Sequence, residues 1–234
     1  IEVAVRATLP PVSGVEVLVR DPVQRSGFGD RRAVSIFEAD PLLLWRLRPG
    51  WRIAAASLAG GEAVLDIGCG CGATTLAAGR AVGPEGTVTG IDLSETAIDL
   101  AGKNFAGLGL AGDLRVADGE HLDFPDASFD VVYGHGVLQY AAAPERIIAE
   151  AHRVLKPGGH AVFMVYNRVS WLNALSKVMK VALEHEDAPV LKKYSIGEFR
   201  ALLAPFAEVR IVPERFPVKS RLHHGWKAVA FNQL

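Results

Sequence analysis

Three aspartates, a run of glycines and one histidine are the side chains here whose types and spacing point to chemistry. Residues 64–72 read V-L-D-I-G-C-G-C-G. A strand that ends in Gly-x-Gly-x-Gly strips Cβ atoms from one stretch of backbone, so a ligand can touch the main chain directly. A helix that starts just after it aims unpaired N–H groups at the same place. Gly68, Gly70 and Ala73 also satisfy the dinucleotide spacing G-x-G-x-x-G/A, so the loop alone does not choose the ligand.

The carboxylates narrow the choice. Asp92, in G-I-D-L-S, closes the next strand about 20 residues past the last glycine, where an acid can accept hydrogen bonds from both ribose hydroxyls. Its structural alternative is a helix cap, a task Ser94 can already perform. Asp118, in A-D-G-E, follows a third strand and lies beside Asp92 by topology. It can accept an adenine amino hydrogen, or serve only as a solvated turn residue. Asp66 stands two residues ahead of the first glycine and is expected to be partly buried, so it needs a partner. Loop N–H groups, or a cationic ligand end, would supply one.

Candidates for the reacting end follow a fourth strand, in Y-G-H-G-V-L-Q-Y. His135 sits there between glycines, where an imidazole of ordinary pKa, about 6.5, can act as a base or lend only its carbonyl. Tyr140 contacts a substrate or packs. Cys69 and Cys71 are the chain's only cysteines, one residue apart in a tight loop and poorly placed to bond to each other. His223 and His224 have no carboxylate partner at usable spacing, so no metal site is expected.

The elements that must hold these residues are short apolar strands alternating with helical patterns. Strands are predicted at Ala63–Ile67, Thr87–Ile91, Asp113–Ala117, Asp130–Gly134 and Ala161–Tyr166. Helices are predicted at Cys71–Val82, after the Ser94 cap, and from Pro144 until K-P-G-G at 156–159 stops it. This alternation predicts a parallel sheet with helices on both faces. Residues 1–60 are set apart as a cap over a substrate pocket, with a strand at Val15–Val19, a helix near Ile36–Leu47, and Phe28, Phe37, Trp45 and Trp51 as wall or core. Residues 61–234 form the core, interrupted at 168–195 by a lid whose stripe is Trp171, Leu175, Val178 and Met179. A helix near Ile196–Leu203 and strands near Glu208–Val212 and Trp226–Phe231 complete it, the last two as an antiparallel edge pair.

These motifs, V-L-D-I-G-C-G-C-G, G-I-D-L-S, V-A-D-G-E-H-L-D-F-P-D-A-S-F-D-V-V and R-V-L-K-P-G-G, arrive in the order and spacing of a known family. Over about residues 62–167 the chain resembles class I S-adenosylmethionine-dependent methyltransferases, of the type that acts on small molecules. The resemblance implies a Rossmann-like, seven-stranded, mostly parallel α/β sheet with its last strand antiparallel. It also implies S-adenosylmethionine as cofactor. Gly68, Cys69 and Gly70 would line its methionine part, Asp92 would bind the ribose, Leu93 would pack on adenine, and Asp118 would meet the adenine amino group. Gly119, Gly134 and His135 complete the implied cofactor-binding set with Asp66. Several small-molecule members carry a His-His pair where this chain has Gln139 and Tyr140, which removes a histidine base from those positions. The residues favour the same cofactor over NAD: an acid at 66 suits an ammonium and repels two phosphates.

A formal net charge of −1 provides no basic field for nucleic acid or anionic membrane, and no apolar run reaches a membrane span. The expected protein is a cytoplasmic enzyme that methylates a small organic acceptor at oxygen, nitrogen or carbon by in-line displacement, with homo-oligomerisation left open. The alternatives are a noncatalytic cofactor-binding or scaffolding subunit, and a methyltransferase acting on a protein.

Overall fold

The computed structural model describes residues 2–7, 15–20, 58–169, 178 and 192–214. In chain order the elements are β1 (Glu2–Ala7), β2 (Val15–Arg20), β3 (Ala63–Ile67), α1 (Ala73–Val82), β4 (Thr87–Asp92), α2 (Glu95–Gly107) and β5 (Asp113–Val116). There follow β6 (Phe129–His135), α3 (Pro144–Val154), β7 (Leu155–Tyr166), α4 (Ile196–Leu202) and β8 (Val209–Glu214).

The five strands that position the site lie in the order β7-β6-β3-β4-β5, and every pairing among them is parallel. Central parallel strands are covered on both faces, so they read as continuous apolar runs. β3 shows both faces at once. Val64 packs with Leu76, Ala78 and Val82 of α1 and with Phe105 of α2. Its neighbour Leu65 shares a cluster with Ile147, Ile148 and Val154 of α3, with Phe199 of α4 and with Leu203 just past the end of α4. The helices therefore lie on both faces of the sheet, as the alternation predicts.

Local chemistry sets the helix starts. Ser94 Oγ accepts the Ala97 N–H at 3.2 Å and opens α2 as expected. Ser195 and Glu198 form a reciprocal capping box at α4. Pro144 stands in the first turn of α3, where its missing N–H costs nothing.

Three expectations change. K-P-G-G does not stop a helix ahead of the fifth strand: α3 ends at Val154 and β7 begins at once, at Leu155. Phe129 pairs with Leu155 while Val131 pairs with His160, so 156–159 bulge out of the ladder. Gly159 is required there, since a Cβ would lie 2.7 Å from the Asp130 carbonyl. Second, E-V-A-V-R-A at the start of the chain forms a strand that the sequence reading did not assign. β1 and β2 join the sheet, β2 parallel to β7, and β1 antiparallel to β2 and β8. Third, the described strands form one eight-stranded sheet rather than a seven-stranded one, and its antiparallel pairings are those of β1 with β2 and with β8. The expected strand at Trp226–Phe231, the helix near Ile36–Leu47, His223, His224 and the four N-terminal aromatics lie outside the described residues. Of the lid stripe, only Val178 is described, and it is exposed.

Candidate functional site

The glycine loop joins β3 to α1 with Gly68, Gly70 and Gly72 at φ 70°, 55° and 85°. These are left-handed conformations that cost any residue with a Cβ, which explains glycine at every second position. The loop is tied from two sides. Gly68 N and Cys69 N both donate to the Ile91 carbonyl, at 2.7 and 2.9 Å, and Gly70 N donates to Asp92 Oδ2 at 2.9 Å. From α2, Asn104 Nδ2 donates to the Cys71 carbonyl at 3.0 Å. Gly72 N turns back to the Cys69 carbonyl. The N–H groups of Gly68, Cys69, Gly70 and Gly72 are thus used inside the protein. The expectation that loop N–H groups stand open for a ligand is corrected for these four.

Asp92 ends β4 with each carboxylate oxygen holding a turn. Oδ2 takes the Gly70 N–H, and Oδ1 takes the Ser94 N–H at 2.9 Å. A carboxylate has about four acceptor sites, so this leaves two for a pair of hydroxyls. The next residue, Leu93, is 73% exposed, an apolar surface beside those acceptors. The Ala117 N–H donates to the Asp92 carbonyl at 3.0 Å, which brings the A-D-G-E turn alongside. Asp118 is exposed there, with Oδ1 accepting the Glu120 N–H at 2.9 Å. His121 stands on the surface of the same turn.

Asp66 is buried deeper than expected, at 1% exposure, and its partner is not the loop. The Thr75 hydroxyl, on α1, donates to Asp66 Oδ2 at 2.7 Å. Burial pushes the carboxyl up to about 7, the Thr75 hydrogen bond opposes that, and the Asp92 charge adds to it. Cys69 is buried, and burial drives its thiol far above the usual range, so it stays neutral. Gly90, on β4, makes room for it: a Cβ there would lie 3.1 Å from Cys69 Sγ.

Two glycines in the expected set have packing reasons of their own. A Cβ on Gly119 would meet Ile67 Cγ2 at 2.6 Å, and one on Gly134 would meet Phe163 Cδ1 at 2.5 Å. His135, half-buried, is the last residue of β6 and pairs with Met164. The turn after it closes against the glycine loop, because a Cβ on Gly68 would collide with the Val137 side chain. Tyr140 is 38% exposed; burial of its inner part raises the phenol, and a hydrogen bond to Tyr166 opposes this. At neutral pH Tyr140 is therefore a donor. Arg153, in the expected structural turn, clamps the 122–126 loop through the Leu122 and Phe124 carbonyls and Asp126.

The strand ends thus bring together the glycine loop, Asp92, Leu93, Asp118 and the 135–140 turn. Thr75, Gly90, Asn104 and Val137 support the site without any signal in the spacing. Among the described residues, no three His, Cys, Asp or Glu side chains come close enough to hold a metal ion, and no helix is long and apolar enough to cross a membrane. The arrangement fits an adenosyl group: two spare acceptors, an exposed apolar side chain, and glycines where the backbone turns.

Comparison with known proteins agrees. Residues 65–163 match a family described as a methyltransferase domain. The demethylmenaquinone methyltransferase of Lactobacillus johnsonii is 36% identical over 116 residues, 47% of this chain and 47% of that protein. The ubiquinone/menaquinone biosynthesis C-methyltransferase UbiE of Burkholderia mallei is 33% identical over 159 residues, 68% of this chain and 58% of that protein. The chain spans about half the length of these curated relatives. Among solved structures, the [4+2]-cyclase SpnF is 28% identical with a TM-score of 0.54, covering 66% of this chain and 55% of that one. An Aquifex aeolicus protein described as a SAM dependent methyltransferase is 19% identical with a TM-score of 0.58. It covers 78% of this chain and 98% of its own length, which shows a shared fold.

Proposed function

Since the centre of this chain is a class I S-adenosylmethionine-dependent methyltransferase domain, we propose that it methylates a small organic acceptor at the crevice beside β6. The observation that supports this most is Asp92, whose two oxygens hold Gly70 and Ser94 while keeping acceptor sites beside the exposed Leu93.

When bound, S-adenosylmethionine supplies a sulfonium-activated methyl group open to in-line attack by oxygen, nitrogen or carbon. In this reading Asp92 holds the ribose hydroxyls, Leu93 covers the adenine, and Asp118 accepts from its amino group. Gly68, Cys69 and Gly70 line the methionine portion, with Gly119, Gly134 and His135 completing the wall. Asp66 lies one layer behind and acts through Thr75. His135 takes a proton from the acceptor where the acceptor arrives protonated, and Tyr140 contacts it as a donor. The main task of the protein is alignment, for which positioning supplies up to about 7–11 kcal/mol. In this reading 168–195 form a lid over the pocket, while the cap expected over 1–60 loses residues 2–7 and 15–20 to the sheet. The same reading includes a cytoplasmic location.

One observation favours a second reading. The similarity to a protein described as a cyclase suits a pocket that binds the adenosyl group without transferring methyl. Calorimetry with S-adenosylmethionine and NAD tests the pocket, and labelled-methyl transfer into small-molecule and protein fractions tests the reaction. Tight binding with no transfer into any fraction would favour the noncatalytic or scaffolding reading. Label confined to protein would replace the small acceptor.

A further inference from the structure

Gln139 is fully buried, at 0% exposure, and neither its Nε2 nor its Oε1 has a hydrogen-bond partner among the described residues. A buried carboxamide with both ends unpaired is costly, and an apolar side chain of the same length would avoid the cost. Two carbonyls of the main chain around it are engaged. The Lys192 N–H donates to the Gln139 carbonyl at 3.0 Å, and the Tyr194 hydroxyl donates to the Leu138 carbonyl at 3.0 Å. The side-chain carboxamide is left over.

Its position is specific. Gly136 has φ 77°, and a Cβ there would lie 3.4 Å from Gln139 Nε2 and 3.3 Å from Met164 Cε. The missing Cβ lets Gln139 Nε2 and Met164 Cε pack against the main chain at Gly136, one residue past His135. Resting on the methyl-transfer reading, we propose that Gln139 is the residue that selects the acceptor, gripping a substrate in which a hydrogen-bond donor and a carbonyl stand side by side. Such groups include a lactam, a primary amide, or a hydroxyl next to a carbonyl. A carboxamide offers one donor edge and one acceptor edge in a plane, and only a ligand with the complementary pair satisfies both. A ligand lacking that pair leaves them unpaired, so discrimination is strong.

The test uses 2-pyridone, a small planar molecule with N–H and C=O adjacent, against pyridine, the same ring without the pair. Ligand-observed NMR at pH 8 measures both on wild-type protein and on Gln139→Met, with and without S-adenosylhomocysteine. Wild type is expected to prefer 2-pyridone by about fivefold or more. Gln139→Met is expected to lose that preference while keeping its S-adenosylhomocysteine affinity and an equal or higher melting temperature. Equal binding of the two probes, no binding of either, or a preference intact in Gln139→Met overturns the proposal. So does a lowered melting temperature in that variant, which marks a structural carboxamide. Failure of wild type to bind S-adenosylhomocysteine, with the probe preference retained in its absence, rejects the methyl-transfer reading and not this one.

Discussion

The Thr75 hydroxyl reaches from α1 to Asp66 Oδ2 at 2.7 Å, so the acid that precedes the glycine loop is satisfied from the helix that follows it. The strand and the helix on either side of the loop are thereby joined beneath it. The acid's contribution to stability depends on its proton.

Burial raises the Asp66 carboxyl from 3.8 to about 7 in the folded chain. Between those values the native state holds a proton that the unfolded state has released. Stability from this group is therefore full below about pH 4 and falls as pH rises to about 7, by at most about 4 kcal/mol. Melting temperature across that window is expected to decline more steeply in wild type than in Asp66→Asn, which still accepts from Thr75. Parallel curves for the two proteins would show that Asp66 does not titrate there.

Asp92→Ala removes both acceptors at once. Loss of a charged hydrogen-bond acceptor is expected to weaken S-adenosylmethionine binding by about 1–3 kcal/mol, read by calorimetry. It also releases the Gly70 and Ser94 N–H groups, so the melting temperature is expected to drop. Unchanged affinity would remove Asp92 from the site, whatever happened to stability.

Gly68 and Gly70 share a left-handed backbone but not their surroundings. A Cβ on Gly70 meets nothing within 4 Å, whereas one on Gly68 runs into Val137. Gly70→Ala is expected to cost about 1–2 kcal/mol from backbone strain alone. Gly68→Ala is expected to cost more, and adding Val137→Ala should recover the excess but not the strain. Urea unfolding of the three variants and wild type separates the two contributions; equal costs for the two single variants would contradict it.

For His135, substitution by glutamine keeps a polar side chain and removes the titration. Turnover is expected to fall and its pH profile to lose a limb. A slower variant with the wild-type profile would make His135 an architectural residue.

The parts legible in the sequence were those written in periodicity and punctuation. Apolar runs located the five strands that position the site, the fifth only from Ala161 onward, and Ser94 marked the start of α2. The glycines announced a left-handed loop. What could not be read was tertiary partnership. Nothing near Asp66 in the sequence says that Thr75, nine positions on, is its donor rather than a loop N–H. Nothing in G-C-G-C-G says that its amides turn toward Ile91 and Asp92. Gly119 and Gly134 resemble ligand-lining glycines, yet Ile67 and Phe163 already require them. K-P-G-G looked like a stop signal because proline and glycine break both helices and strands. In the sheet the same residues make a bulge.

The Ile91 carbonyl takes two amides of the glycine loop, and it does so with main-chain oxygen that any amino acid would provide. A mutational scan of position 91 would therefore record only a preference for bulk and overlook the joint. Slow, concerted deuterium uptake at Gly68 and Cys69 is where it would become visible.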